Sequence, residues 1–337
     1  MSRTGGSDRV LRAHAPAKIN LGLRVTGHRV AGELAGYHEL ESLFLPLDLA
    51  DEVELRLSPG GPSAELELAP GAPATVPAGT GNLAWRAARA FLETSRARCR
   101  IRIRLRKRIP ARAGLGGGSS DAGTVLRLLA RAMPDALPGG ALRELALSLG
   151  ADVPFFLDPR PAFVAGVGER IEPLARWPEL PLVLAAPRAG LETSRVFEVY
   201  RRSGRDVSPV GTVREGVARL LALWPAGTGT APAGGGRAAP EEEAACLRSL
   251  AANDLEAAAC ELCPGVLALR GELERSGALA VGMTGSGPTL FGIFRSPTEA
   301  RLAAGLPELG AAGFVGTAST REAPFGSVPS EVSAPRP

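Results

Sequence analysis

Lysine is almost missing from this chain: of 39 lysines and arginines only Lys18 and Lys107 are lysines. Aromatic residues make up just 4% of the sequence. No stretch approaches the roughly 20 consecutive apolar residues that a membrane span requires. The opening MSRTGGSDRVLRAHAPAKIN likewise holds no apolar core of the kind a secretory leader needs. A cytoplasmic protein with no membrane partner is therefore expected. With only three histidines, and no second closely spaced cysteine pair beside the one at Cys260 and Cys263, a full metal ligand set is hard to assemble. Cys260 and Cys263 do form a C-x-x-C in EAAACELCPGV. The helical pattern running to Pro264 makes them two small apolar side chains on one face, so neither a redox pair nor a zinc site is expected.

The balance of charge is slightly basic, at +4, and the arginines are not scattered. Arg96, Arg98, Arg100, Arg102, Arg104 and Arg106 occupy alternate positions, with Cys99, Ile101, Ile103 and Leu105 between the later ones. That period describes a strand with one buried and one solvated face. Without interleaved aromatics the run offers no stacking platform for bases, and no nucleic-acid partner is expected.

At 337 residues the chain exceeds what one hydrophobic core usually serves, so two domains are expected. Strand-like runs at Val53 to Leu57, Ala64 to Leu68 and Arg100 to Leu105 alternate with helical runs at Leu83 to Leu92, Asp121 to Ala132 and Ala141 to Leu149. This is an α/β layout. The periodicity breaks in PLARWPELP, Pro173 to Pro181, before the strand-like LVLAAP. The boundary falls there, giving domains of 1–175 and 176–325. Pro225 to Glu243 is rich in Gly, Ala and Pro, which predicts a mobile loop, and residues 326–337 read as a disordered tail.

One segment carries chemistry on its face. PARAGLGGGSSDAGTVLRLLARA, Pro110 to Ala132, runs from a basic strand through glycines into a periodic helix. Gly114, Gly116, Gly117 and Gly118 let backbone amides approach a ligand, and Ser119, Ser120 and Asp121 are expected to cap the helix. Free amides and the positive end of a helix dipole favour an anion, so phosphate is the expected ligand. A Walker A loop would need Gly-Lys-Ser/Thr, and neither lysine stands there. A dinucleotide fingerprint would want glycine where Ser119 stands. No His-Arg-Asp or Asp-Phe-Gly marks a protein kinase.

PARAGLGGGSSDAG resembles the phosphate-binding loop of the GHMP kinases, and its triple glycine resembles the branch that acts on a cytidine diphosphate-linked polyol, the diphosphocytidyl-methylerythritol kinases. APAKINLGLRVTG at Ala15 to Gly27 and MTGSGPTLFGIF at Met283 to Phe294 are similar to that branch's opening strand and C-terminal glycine motif. The resemblance covers about residues 11 to 320. It implies a two-domain GHMP kinase fold, an N-terminal α/β domain plus a C-terminal ferredoxin-like α+β domain with the active site between them. The implied reaction is phosphorylation of the 2-hydroxyl of the cytidine diphosphate-linked polyol by ATP, with Mg2+ as companion and no protein ligands assigned to it.

The same resemblance assigns residues. Lys18 and Asp152 match the catalytic pair: Asp152 would accept the acceptor hydroxyl's proton while Lys18 orients it and stabilises developing charge. Pro110, Ala111, Arg112, Ala113, Gly114, Leu115, Gly116, Gly117, Gly118, Ser119 and Ser120 would hold the ATP phosphates, with Asn82 and Lys107 near adenosine. Tyr37 and His38 would read the cytosine, with Phe197 on the other side of the stack and Asn20 near the reacting end. Independently of resemblance, LGADVPFFL reads as a helix end at Gly150 followed by an apolar strand. Two features depart from the branch: HRVAGELA between Gly27 and Gly36 is a longer link than usual, and Thr284 replaces a serine but keeps the hydroxyl. NDLE, Asn253 to Glu256, agrees with the branch as a helix entry. Two readings stay open beside it: another GHMP kinase acting on homoserine or mevalonate, and a catalytically silent binding protein of the same fold.

Overall fold

The structure, a computed structural model, describes residues 8–31, 36–205, 207–224 and 240–322. Two long strands dominate its first half. β1 (Arg9–His28) pairs antiparallel with β2 (His38–Pro59) along its whole length, with register shifts between Pro16 and Lys18, Leu21 and Leu23, and Val25 and Gly27. The first residues of β1 leave Arg9 and Arg12 exposed, whereas every residue from Ala15 to Leu23 is buried. A run of that kind is covered on both faces. Lys18 and Asn20 lie within it.

The remaining elements of the first half are β3 (Ser63–Leu68), α1 (Leu83–Ser95), β4 (Cys99–Arg106), α2 (Gly117–Ala132), α3 (Ala141–Leu149), β5 (Ala162–Gly166) and β6 (Arg170–Pro173). The sheet order is β3-β4-β2-β5-β6, with β1 on β2. Only β3 and β4 pair in parallel, joined through α1; the other pairings are antiparallel. Leu55, Ile101 and Ile103 of the sheet share one core with Phe91 of α1 and Leu126 of α2. The opposite face carries the arginines, and they are answered: Arg102 meets Glu65 at 3.2 Å, and Arg104 and Arg106 lie 3.8 Å from Glu67 and Glu52. The strand starts later than the alternation suggests. Arg96 is the left-handed residue that ends α1, at φ 56°, and the ladder begins only at Cys99.

The second half comprises β7 (Pro181–Ala186), α4 (Thr193–Arg202), α5 (Thr212–Leu223), α6 (Pro240–Leu250), α7 (Glu256–Leu262), α8 (Gly265–Arg275), β8 (Ala280–Met283), β9 (Leu290–Ile293), α9 (Pro297–Ala304) and β10 (Phe314–Ser319). Its sheet is antiparallel throughout in the order β10-β7-β9-β8, the α+β partner expected of this half. Ile19, Leu21 and Leu45 of the first sheet share a core with Leu182, Leu184, Phe291 and Ile293 of the second. Shared burial of this kind is what covers the second face of β1.

Three local expectations are corrected. Helix α2 begins at Gly117, with Gly116 as its capping residue and no side-chain cap, so Ser119, Ser120 and Asp121 sit inside the helix. After Asp152 the chain forms a 3-10 helical turn, Val153–Leu157, and not a strand. The chain is held by turn bonds, the Val153 amide donating to the Gly150 carbonyl and the Asp158 amide to the Phe155 carbonyl, and Pro154 at its start has no amide to give a strand partner. Glu241, Glu242 and Glu243, expected in a loop, form the first turn of α6; the rest of that predicted loop, 225–239, and the predicted tail lie outside the described residues. Asn253 to Glu256 form the entry to α7 as expected: the Asn253 side chain accepts from the Leu255 amide at 2.9 Å, and α7 starts at Glu256.

The turn after Asp152 is seated on α2 through Gly123. A Cβ there would lie 2.5 Å from Phe156 Cβ and 3.1 Å from the Val153 carbonyl oxygen. In an open helix Gly→Ala is worth about 1 kcal/mol of stabilisation. Gly123→Ala is expected to reverse that sign, costing about 1–3 kcal/mol through overpacking. Urea unfolding midpoints check this; a midpoint equal to or above that of the parent would show that the seat is not tight.

Candidate active site

Lys18 is 3% exposed, and an ammonium so placed needs partners. Its Nζ donates to Asn20 Oδ1 at 2.6 Å, lies 3.4 Å from an oxygen of Asp152 and stands 4.8 Å from the centre of the Phe44 ring. The Lys18 amide donates to the Leu115 carbonyl at 3.0 Å, which fastens β1 to the glycine loop. Asn20 is held on three sides. Its Nδ2 donates to Ser42 Oγ, its amide donates to Thr284 Oγ1, and the Thr284 hydroxyl faces both Asn20 Oδ1 and the Gly114 carbonyl at 3.3 Å. Thr284 therefore ties together β1, the glycine loop and the C-terminal glycine motif. Asp152, a third exposed, is the most open member of the group.

Gly114 and Gly116 adopt φ of 74° and 71°, in the left-handed region. Their missing side chains matter as much. A Cβ at Gly114 would be 2.6 Å from the Thr284 carbonyl oxygen, and one at Gly116 would press on Phe156 and Lys18 at 3.0 and 3.1 Å. The loop thus passes directly over the lysine. The first amides of α2 have no partners within the helix and point into a cavity of about 450 Å3, lined by Asn82, Lys107 and residues 110–119. Ser120, expected at this surface, is wholly buried, with an unpartnered hydroxyl.

A larger cavity of about 680 Å3 opens on the other side of the loop and is lined by Lys18, Asn20, Tyr37, His38, Asp152 and Phe197 among others. Gly114, Gly116 and Thr193 line both cavities. The His38 and Phe197 rings stack on each other with centroids 4.9 Å apart, and Tyr37 stands at the mouth, more than half exposed. Burial, reinforced by the nearby charges of His28 and Arg201, pushes His38 below its ordinary pKa. Its imidazole is neutral at pH 7 and offers one donor and one acceptor.

Asn82 and Lys107 line the smaller cavity, but their polar atoms are already engaged. Asn82 caps α1, accepting from the Ala84 amide and donating to the Pro77 carbonyl, both at 2.9 Å. Lys107 bonds Asp51 and, at 2.6 Å, Asp121. Asp51 also accepts from the amides of Arg108 and Ile109. Burial would free the lysine's proton, yet the charges of Asp121 and Asp51 outweigh it and raise Lys107 above its usual range. Burial, with the repulsion of Asp51, in turn raises Asp121 well above the carboxylate range despite Lys107.

Several lining residues were not among those read from the sequence: Ser42, Phe44, Glu198, Arg201 and the Thr193–Ser286 hydroxyl pair, 2.9 Å apart. Asn253 does more than start a helix. Its Nδ2 donates to the carbonyls of Met283 and Gly285, both at 2.8 Å, and so fixes the turn that meets Gly114. Asp254 accepts from the Val25 amide and from Arg24, anchoring the end of β1. No cluster of three or more His, Cys, Asp or Glu side chains able to hold a metal occurs among the described residues, and all four cysteines are free thiols. No helix of the described residues is long and apolar enough to cross a membrane.

Comparison with known proteins agrees with this geometry. Residues 82–158 match the GHMP kinases N terminal domain, and residues 238–311 match the GHMP kinases C terminal domain. The chain is 42% identical over 295 residues to the 4-diphosphocytidyl-2-C-methyl-D-erythritol kinase of Anaeromyxobacter dehalogenans, covering 86% of this chain and 82% of that one. A crystal structure of 4-(cytidine 5'-diphospho)-2C-methyl-D-erythritol kinase superposes with a TM-score of 0.67 at 37% identity, over 92% of this chain and 99% of the other. Homoserine kinase from Cytophaga hutchinsonii superposes at 0.63 with 18% identity, over 97% and 98% of the two chains, a likeness of fold alone.

Lys107→Met leaves Asp51 and Asp121 buried without their counter-charge, at an expected cost of about 3–5 kcal/mol at neutral pH. Unpaired buried carboxylates have a folded-state pKa raised above the unfolded value, so the penalty is small below about pH 4 and grows as pH rises from there. Urea unfolding at about pH 4 and pH 7 should show the variant close to the parent at the lower pH and well below it at the higher. An equal loss at both would mean that the charge of Lys107 is not what holds the site.

Proposed function

Because the chain belongs to the GHMP kinases, and within them to the 4-diphosphocytidyl-2-C-methyl-D-erythritol kinase family, we propose that it transfers the γ-phosphoryl group of ATP to the 2-hydroxyl of 4-diphosphocytidyl-2-C-methyl-D-erythritol, a step of the non-mevalonate route to isoprenoid precursors. One observation carries the reading beyond family membership: the two cavities meet at Gly114 and Gly116, with Lys18 and Asp152 on the acceptor side of that wall. Phosphoryl transfer asks for little covalent help and much positioning. A donor site and an acceptor site that meet at the glycine loop supply that.

The residues divide the work accordingly. Asp152 takes the proton of the acceptor hydroxyl as its oxygen forms a bond to the γ-phosphorus and the bond to the ADP oxygen breaks. Lys18, within 3.4 Å of Asp152, orients that carboxylate and offsets the negative charge gathering at the transferring group. Asn20, locked by Ser42 and Thr284, keeps the ammonium in place. The loop amides and the N-terminus of α2 receive the ATP phosphates. Mg2+ accompanies ATP and screens its phosphate charge. Ser119, which lines the smaller cavity beside the loop, would be the protein group suited to hold the ion. At the far end of the larger cavity, Tyr37 and Phe197 supply aromatic faces, and neutral His38 supplies the donor and acceptor that a cytosine edge requires. Free thiols and nucleotide substrates suit a cytoplasmic enzyme.

The direct test offers ATP and Mg2+ with this substrate, homoserine or mevalonate, following ADP release and the phosphorus NMR of the product. Transfer to the cytidine substrate alone is expected, and transfer to another alcohol would overturn the acceptor assignment. Asp152→Asn is expected to lower kcat by about 10^2–10^4-fold, the usual worth of a general base, with an unchanged unfolding midpoint. A retained rate would remove Asp152 from its role.

A further inference from the structure

Beyond His28 and His38 the pairing of the first two strands does not stop. The Arg29 amide donates to the Tyr37 carbonyl and the Gly36 amide donates to the Arg29 carbonyl, both at 2.8 Å. The backbone that presents Tyr37 and His38 is therefore in register with Arg29. The Arg29 side chain turns to two carboxylates. Its Nε and Nη2 donate to Glu39 Oε1 at 3.2 and 3.0 Å, and Nη2 also donates to Glu169 Oε1 at 2.8 Å.

Glu169 is itself tightly placed in the turn between β5 and β6. Its other oxygen accepts the Val167 amide at 2.7 Å, and its carbonyl accepts from Arg143 of α3. The carboxylate lies across Gly166, where a Cβ would be 2.5 Å from either oxygen. Gly166, Val167 and Gly168 of this turn line the larger cavity. Gly168 in addition rests on the segment of the catalytic carboxylate: a Cβ there would be 2.5 Å from the carbonyl oxygen of Ala151, the residue before Asp152.

We propose that Arg29 is a positioning residue for the nucleoside end of the acceptor site: its bridge to Glu39 and Glu169 latches the backbone of Tyr37 and His38 to the turn that supports Asp152. The nucleoside and the reacting hydroxyl are thereby referred to one rigid frame. Arg29 is the second residue of the HRVAGELA link. The charges agree with the geometry. The hydrogen bonds that Arg29 donates to Glu169 and Glu39 raise it above its usual range. Partial burial works against ionisation of Glu169, yet the Arg29 hydrogen bond and the amides of Glu169 and Val167 hold it below the usual carboxylate range.

The inference rests on the cytidine reading of the larger cavity, and calorimetric titration separates the two. Cytidine 5'-diphosphate and ADP are titrated into the parent, Arg29→Met, Arg29→Lys, Glu169→Gln and the Arg29→Met/Glu169→Gln double variant. Arg29→Met and Glu169→Gln are each expected to weaken cytidine diphosphate about tenfold, equivalent to roughly 1.4 kcal/mol, with ADP affinity changed less than about twofold. The double variant should be no weaker than Arg29→Met alone, since both remove one coupled interaction, and Arg29→Lys should recover part of the loss. A parent that fails to bind cytidine diphosphate sinks the cytidine reading. A parent that binds it, with Arg29→Met unchanged, additive losses in the double variant or a parallel loss of ADP affinity, leaves that reading standing and overturns the latch.

Discussion

A single buried ammonium organises this molecule. Lys18 sits in a stretch of β1 covered on both faces, where an unpaired charge would cost several kcal/mol. Satisfying it draws in Asn20 from the same strand, Asp152 from the segment after α3, and Phe44 from β2. Asn20 is then held through Ser42 and Thr284, which lie on β2 and in the C-terminal glycine motif. The same network that makes the charge tolerable assembles the catalytic constellation from four distant parts of the chain. Burial on both faces is in turn possible only because Leu182, Leu184 and Phe291 of the second domain complete the core over β1. Stability of the interdomain core and geometry of the active site are thus one requirement.

The glycines belong to that requirement as well. At Gly114 and Gly116 the missing Cβ atoms bring the loop against the Thr284 carbonyl on one side and Lys18 on the other. Two cavities meet at these residues, which suits direct transfer of a group between two bound molecules. Asn253 reinforces the arrangement from behind by holding the Met283 and Gly285 carbonyls.

What could be read from the sequence was what repeats or has a period. The alternation of Ile101, Ile103 and Leu105 with arginines announced β4 and its solvated face, and the apolar spacing of residues 141–149 gave α3 with its observed bounds. Lys18, Asn20, Asp152, Tyr37, His38 and Phe197 gather at one cavity, but spacing alone would not have brought them together; motif resemblance did. Three features were illegible for identifiable reasons. The Val153–Leu157 turn has the composition of a buried strand, and locally only Pro154, which has no amide for a ladder, speaks against one. Asp51 and Asp121 look like ordinary polar residues until the fold brings both to Lys107. The partnership of Arg29 with Glu169 spans 140 positions and leaves no local trace.

The scarcity of lysine acquires a physical reason in this light. Both lysines occupy closed sites, their side chains 4% and 5% exposed, where a compact charge fits between oxygen acceptors. Arg24 and Arg270, although they lie in ion-pair networks, keep 16% and 23% of their side-chain surface. A guanidinium is broad, planar and always charged, with a fork of donors that suits paired carboxylates at or near the surface. A Cβ at Gly116 would stand 3.1 Å from Lys18 Cγ and 3.0 Å from the Phe156 ring, so the loop packs closely on the lysine stem. In a chain that uses arginine almost everywhere, lysine stands at the two positions where the stem is closely packed and the compact charge meets oxygen acceptors on more than one side.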